Sequence, residues 1–238
     1  MLADSQTWGL TAVERRSTTD HVLAELRAAI ISGRIGPRQP LRETALAETL
    51  GTGRSAIREA IRHLVQEGLV EYHINRGAFV RVLSVEDCHD VYLAREALEV
   101  SAVQCAIDSA RPLDLDGLGA AFDRLAETAD RAPARSPAGP ELIAADLDFH
   151  RELVRLAASP RLTRAHETLA AEAQMLLLHH PVYSMLDYEA DHRVLLQALE
   201  RHDPRSPELV RDHLRLSARL ISAEIGQLAA VATREQES

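Results

Sequence analysis

The sequence predicts a mainly α protein: an N-terminal winged helix-turn-helix with a small β-hairpin, then a C-terminal antiparallel all-α bundle. Three observations support this. Helix, helix, tight turn, helix and hairpin follow one another within about 65 residues, the order of a winged helix-turn-helix. From Ser84 onward the apolar residues recur with helical period almost to the end of the chain. Aromatic residues are only 3% against 46% hydrophobic overall, so the core must be aliphatic, which suits Ala- and Leu-rich helices.

Residues 1–17 are polar and aperiodic and read as a flexible N-terminal arm. From Thr18, the stretch HVLAELRAAIISGRI places Val22, Leu23, Leu26, Ile30 and Ile31 on one stripe that Gly33 ends. GPRQP is a turn. RETALAETLG makes a short helix that stops at Gly51, and after Thr52 and Gly53 a third helix begins, RSAIREAIRHLVQEG. The period then changes: LVEYHI and AFVRVL read as strands joined by Asn75, Arg76 and Gly77. This unit is assigned to residues 18–83.

Residues 84–230 read as the helical unit, and 231–238 as a C-terminal tail. Ser84 with Asp87 three later is a capping box for a long helix closed by Pro112. Five more helices are expected over 114–130, 141–158, 160–180, 184–202 and 206–229, with RAPARSPAGP as a loop and Ser206-Pro207 as an N-cap and first-turn proline.

The net charge of −9 argues against nucleic acid only if it is evenly spread. It is not: residues 1–82 carry 11 Arg against 9 Asp and Glu, whereas 83–238 carry 16 against 27, which leaves the first unit free to approach phosphate. All 27 basic residues are arginine. The N-terminus lacks a signal-peptide pattern and no run reaches the roughly 18 apolar residues of a membrane span, so a cytoplasmic location is expected. Cys88 and Cys105 read as small core residues, kept as thiols there.

On the third helix Arg54, Arg58 and Arg62 recur every four residues, with Ser55 beside Arg54. In isolation this is a solvated face with a salt bridge to Glu59 or Glu67. In a helix-turn-helix the same stripe faces the major groove, where Arg reads guanine, while Arg76 and Gly77 at the hairpin tip lie near the DNA backbone or minor groove. The stretch LRETALAETLGTGRSAIREAIRHLVQEGLVEYHINRGAFV resembles the winged-helix domain of GntR-family transcription regulators. The resemblance implies DNA contacts from Arg54, Ser55 and Arg58, with Arg76 and Gly77 in the wing. Gly53 stands where the family usually has a serine cap and Ala56 where it usually has proline.

In the helical unit Asp146 and His150 are four apart and share a helix face. Alone they are a hydrogen-bonded surface pair, and with 11 His in the chain a satisfied lone histidine is the ordinary case. Phe149, Leu153 and Leu156 give that face an apolar setting, and His192 and His213 lie on two later helices beside apolar stripes. One carboxylate and three imidazoles suit a divalent transition metal with open positions. The all-helical part resembles the effector-binding FCD domain of the FadR-type subgroup, and a count of six helices resembles its VanR-like branch. The resemblance implies that Asp146, His150, His192 and His213 hold zinc or nickel, with manganese also compatible, and that Arg95 binds a small carboxylate effector. Arg95 could instead pair within its helix with Glu99. Asp148 and Glu152 are expected in solvent, and His179 and His180 near the pocket or on the surface.

The expectation is therefore a regulator rather than an enzyme: a repressor that binds double-stranded operator DNA as a homodimer and responds to an organic acid. The alternatives are a metal-sensing regulator, a metal-dependent hydrolase and a protein-interaction module.

Overall fold

The computed structural model describes residues 18–109, 111–131, 139–180 and 188–236. The predicted arm over 1–17 and most of the 131–140 loop lie outside them. The described residues form two packed groups of elements that share one apolar cluster.

The first group comprises α1 (Thr18–Ile31), α2 (Glu43–Thr49), α3 (Arg54–Gln66) and an antiparallel pair, β1 (Val70–His73) and β2 (Gly77–Val80). α1 buries Val22, Leu26, Ala29, Ile30 and Ile31 against α3, which buries Ile57, Ala60, Ile61 and Leu64. Their period of three and four puts the charged residues of α3 on the opposite side. Gly53 begins α3 without a side-chain cap, the consequence of lacking a serine oxygen. The strands pair Val70 with Val80 and His73 with Gly77, and Gly77 takes a φ of +91°, where a glycine carries no Cβ penalty.

The second group is α4 (Val85–Ile107), α5 (Asp116–Arg131), α6 (Pro140–Arg155), α7 (Pro160–Glu167), α8 (Ala170–His179), α9 (Tyr188–Glu200) and α10 (Ser206–Gln236). α4 lies along α10, while α5 packs on both α6 and α9. The capping box at Ser84 and Asp87 forms: Asp87 N–H donates to Ser84 Oγ at 3.1 Å and Ser84 N–H to Asp87 Oδ2 at 2.8 Å.

Three expectations need correction. The single helix expected over 160–180 is two, giving the second group seven helices among the described residues and removing the six-helix argument for a VanR-like branch. At the break the Leu169 N–H turns to His166 O at 3.0 Å and the Thr168 hydroxyl donates to Ala165 O at 2.7 Å, an i−3 pattern that tightens and ends the turn. No glycine or proline marks it. The last helix continues through Gln236 instead of giving way to a tail at 231, as expected of an Ala-rich stretch without a breaker. Cys105 is exposed on α4, whereas Cys88 is buried as expected.

The two groups meet at Arg81, just after β2. Its Nη1 donates to Glu172 of α8 at 2.6 Å and to the Gly68 carbonyl at 3.4 Å, and its Nη2 pairs with Asp87 of the capping box. Gly68 has a φ of +72°, and a Cβ there would stand 2.4 Å from the Glu172 carboxylate. Gly68→Ala therefore meets both backbone strain and a displaced Glu172. A loss of about 1–2 kcal/mol is expected in urea unfolding; an unchanged midpoint would show that the junction relaxes freely.

Candidate metal centre and DNA-reading face

Asp146 and His150 project from α6, His192 from α9, His213 from α10 and Arg95 from α4, and all five line one small cavity. The side chains of Asp146, His150, His192 and Arg95 are almost wholly buried. Each helix brings its residue inward because it belongs to the apolar stripe: Phe149 and Leu153 flank His150, Leu195 follows His192, and Leu214 adjoins His213. The three imidazoles form the compact set, with one ring nitrogen from each within 4.8 Å of the others. Asp146 stands at its edge, with Oδ1 3.0 Å from His192 Nε2 and 4.0 Å from His150 Nε2.

The outer hydrogen bonds decide which nitrogens face inward. His150 Nδ1 lies 2.7 Å from Glu99 Oε2, and His192 Nδ1 lies 2.7 Å from the Tyr188 carbonyl. Both partners only accept, so both Nδ1 atoms carry a hydrogen, and each ring in its neutral form turns its Nε2 lone pair toward the cavity. Those two Nε2 atoms are 3.4 Å apart and one also faces the Asp146 carboxylate. A single proton could join one such pair and would leave the other acceptors opposed. A cation could satisfy all of them, and a carboxylate or carbonyl behind each histidine is the usual support for a metal-bound imidazole.

Electrostatics agree with this donor set. Burial, then the neighbouring His192 and His150, push His213 well below the usual imidazole range, which keeps its lone pair available. Burial would raise the Asp146 carboxyl, but the His192 hydrogen bond and nearby positive charges outweigh it and hold it at about 2. Burial would likewise weaken Arg95 as a cation, yet Glu99 beside it more than compensates and it stays charged.

Arg95 makes the intrahelical pair that was its alternative expectation. Its Nε donates to Glu99 Oε1 at 2.8 Å, the intrahelical pair, while its Nη2 is buried and has no hydrogen-bond partner among the described residues. An unspent guanidinium N–H beside the cavity suits a carboxylate oxygen. The cavity itself is only about 10 Å³, room for about one water or ion. Roomier clefts of about 350 Å³ near Arg111 and Arg155, and near Arg76, are more open to solvent and hold none of the converged donors.

Glu99 is the residue that sequence reasoning undervalued. It is completely buried and accepts from Arg95 and His150 and, through Oε1, meets His166 Nε2 at 3.0 Å. A carboxylate on the same stripe as Cys88, Val91 and Ala102 was the signal available, because ionised groups are rarely placed there without partners. His166, buried on α7, carried no comparable signal. Asp148 and Glu152 are ion-paired and only partly exposed, not free in solvent: Asp148 pairs with Arg124 and Arg151, and Glu152 with Arg155. His179 and His180 do not line the cavity; His179 reaches back to the Ile30 carbonyl of α1.

On α3, Arg54, Ser55 and Arg58 are exposed, and Arg76 is exposed at the hairpin tip, its guanidinium 5.6 Å from the Phe79 ring centroid. The intrahelical partner expected for the arginine stripe is taken by Arg62, which donates to Glu59 at 2.8 Å, while Glu67 pairs with Arg27 of α1. Arg58 pairs with Glu43 of α2.

A winged helix-turn-helix joined to an all-helical bundle is the architecture of a transcription regulator. Residues 18–80 match the family model described as "Bacterial regulatory proteins, gntR family", and residues 90–216 match the FCD domain. The chain belongs to the gntR family, within the group that carries an FCD domain, and is a transcription regulator and not an enzyme. It is 32% identical over 209 residues to the "Probable D-xylose utilization operon transcriptional repressor" of Paenarthrobacter nicotinovorans, covering 86% of this chain and 90% of that one. It is 30% identical to the "HTH-type transcriptional repressor GlaR" of Escherichia coli (strain K12), covering 79% of this chain and 89% of that one. A crystal structure of a GntR regulator from Rhodococcus sp. RHA1 superposes with a TM-score of 0.73 at 26% identity, covering 85% of this chain and 96% of that one. Regulators of this family bind operator DNA and FCD domains bind small-molecule effectors. Among the described residues no helix is long and apolar enough to cross a membrane.

Removing the Glu99 carboxylate leaves Arg95 charged and buried without its partner. Glu99→Ala is expected to cost about 3–5 kcal/mol in chemical denaturation, with Glu99→Gln costing less. A loss near zero for Glu99→Ala would mean that water replaces the carboxylate and that it does not organise the centre.

Proposed function

We propose that this chain is a repressor that binds a near-palindromic operator as a homodimer and releases it in response to a small carboxylate. In this reading residues 18–83 read DNA and residues 84–230 sense the effector and dimerise. Asp146, His150, His192 and His213 hold a divalent transition metal, and Arg95 binds the carboxylate beside it. The observation that carries the reading is the meeting of imidazole nitrogens from three helices next to an unspent, buried arginine N–H.

The donor set fits zinc or nickel, and three imidazoles favour these over manganese. When bound, such an ion supplies open coordination positions for a carboxylate oxygen. The chain's own residues do the remainder. Glu99 and the Tyr188 carbonyl orient His150 and His192, Arg95 presents its Nη2, and the buried walls exclude competing water. Arg54, Ser55 and Arg58 meet base edges or phosphate in the major groove, and Arg76 with Gly77 follows the adjacent backbone.

The small cavity supports a mechanism. An organic acid needs more space than about one water, so its binding requires the surrounding helices to shift, and that differential contact moves the population between two arrangements. Glu99 touches His150 on α6 and His166 on α7; α8 follows directly and carries Glu172 to Arg81 at the base of the wing. A shift at the centre thus has a contiguous route to the spacing of the recognition helices.

A second reading rests on the same cavity. Space for one ion favours a regulator whose signal is the metal itself. DNA affinity measured with metal alone, then with metal plus a panel of small mono- and dicarboxylates, separates the two: a response complete with metal alone favours the second.

Purified full-length protein is expected to carry near-stoichiometric zinc or nickel by elemental analysis, and a chelator to lower its melting temperature. His192→Ala is expected to lose the metal and the chelator effect together. No bound metal and no thermal shift with zinc, nickel or manganese would overturn the site.

Arg58→Ala is expected to weaken binding to the preferred duplex at least about fivefold and to relax sequence preference, read by fluorescence anisotropy. Unchanged binding would remove Arg58 from the contact set.

A further inference from the structure

We propose that Glu43 is a specificity-determining positioning residue of the DNA reader, holding one edge of the Arg58 guanidinium so that the other is presented to a guanine. The inference rests on the proposed role of Arg58 in base reading and extends it to a residue on the preceding helix.

Glu43 is the first residue of α2, and its carboxylate accepts from Arg58 Nε at 3.1 Å and from Nη2 at 2.8 Å. A guanidinium offers two edges for paired hydrogen bonds, the side-on edge of Nε and Nη2 and the end-on edge of Nη1 and Nη2. Glu43 occupies the side-on edge. The end-on edge keeps two parallel N–H groups, the pattern that matches guanine O6 and N7. Its carbon-rich stem leaves α3 on the exposed face, where the Arg58 side chain is 55% accessible. An arginine in that setting samples many rotamers, and ordering it opposes binding. The bidentate brace across the helix-turn-helix orders it beforehand.

The same carboxylate also tunes how DNA is held. Glu43 is ionised: the Arg58 hydrogen bond chiefly, outweighing slight burial, and then the charges of Arg58, Arg54 and Arg62 hold it below the usual carboxylate range. An anion set within the arginine stripe reduces the attraction of that stripe for phosphate, which is independent of sequence. Glu43 therefore lowers backbone attraction while sharpening base reading. The first effect acts on every duplex alike, so it is the sharper base reading that raises the ratio of specific to non-specific affinity, the quantity that matters for finding an operator among competing sites.

The test uses the full-length protein, a duplex selected by it from a random-sequence pool, and a scrambled duplex of the same composition. Anisotropy titrations at fixed salt give the affinity ratio of the two. Glu43→Gln keeps the shape but offers one oxygen and an NH₂ that repels the guanidinium, so the ratio is expected to fall about tenfold. Binding to scrambled DNA is expected to be unchanged or tighter. In an Arg58→Ala background Glu43→Gln is expected to change the ratio no further. Replacing the contacted guanine by 7-deazaguanine is expected to weaken the wild type and to leave Glu43→Gln nearly unaffected. Matched melting curves exclude misfolding, since Arg58 and Glu43 are both at the surface.

An unchanged ratio, an equal loss on both duplexes, or tighter binding to both would overturn the positioning role; the last would make the pair a lock on Arg58. If Arg58→Ala itself leaves the ratio intact, Arg58 is not a base reader and the underlying reading fails. If Arg58→Ala collapses the ratio and Glu43→Gln does not, the positioning role alone fails.

Discussion

The helical bundle is organised around one carboxylate that has no contact with water. An ionised group in that position is tolerable only when hydrogen bonds and opposite charge replace its lost solvation. Glu99 obtains them from Arg95 on its own helix, His150 on α6 and His166 on α7. Burial would raise its carboxyl, yet Arg95 and then His150 outweigh this and hold it well below the usual range. Three helices are thus tied to a common point. The position of the His150 Nδ1 hydrogen, the charge state of Arg95 and the direction of the His150 Nε2 all follow from it.

If the cavity takes the proposed effector, that arrangement couples sensing to stability. The groups that face the cavity are oriented by groups that also hold helices together. A ligand drawing on the Arg95 Nη2 would pull on a guanidinium whose Nε is bound to Glu99, and through Glu99 on α6 and α7. Because packed interiors move between discrete arrangements more readily than they deform, a small displacement there can be carried as a helix shift.

Much of this was legible in the sequence, for identifiable reasons. Helical and alternating periods are local, so α1 through β2 and the start of α4 could be read directly, including the capping box of Ser84 and Asp87. The expected ligands were visible as polar residues on apolar stripes, and their convergence on one cavity follows from packing those stripes together. Three features were not legible. The break between α7 and α8 arises from backbone bonds at Thr168 and Leu169 with no breaker residue to announce it. His166 looks like a solvent residue in RAHE and becomes buried only because α7 folds over Glu99. Glu43 and Arg58 are separated by a turn, and helical spacing offered Arg58 the nearer acids on its own helix instead.

The junction at Arg81 bears on how such regulators can be recombined. This single guanidinium spans the wing, the first turn of α4 and α8, and one of its partners, Asp87, also completes the capping box that starts α4. The border between the two units is therefore a shared piece of structure instead of a free linker. A chimera that joins this reader to another sensor inherits a functional joint only if Arg81, Asp87, Glu172 and the glycine at 68 travel as a set. Divergence of reader and sensor is tethered at that point, and new pairings are expected to arise by changing the surfaces on either side of it.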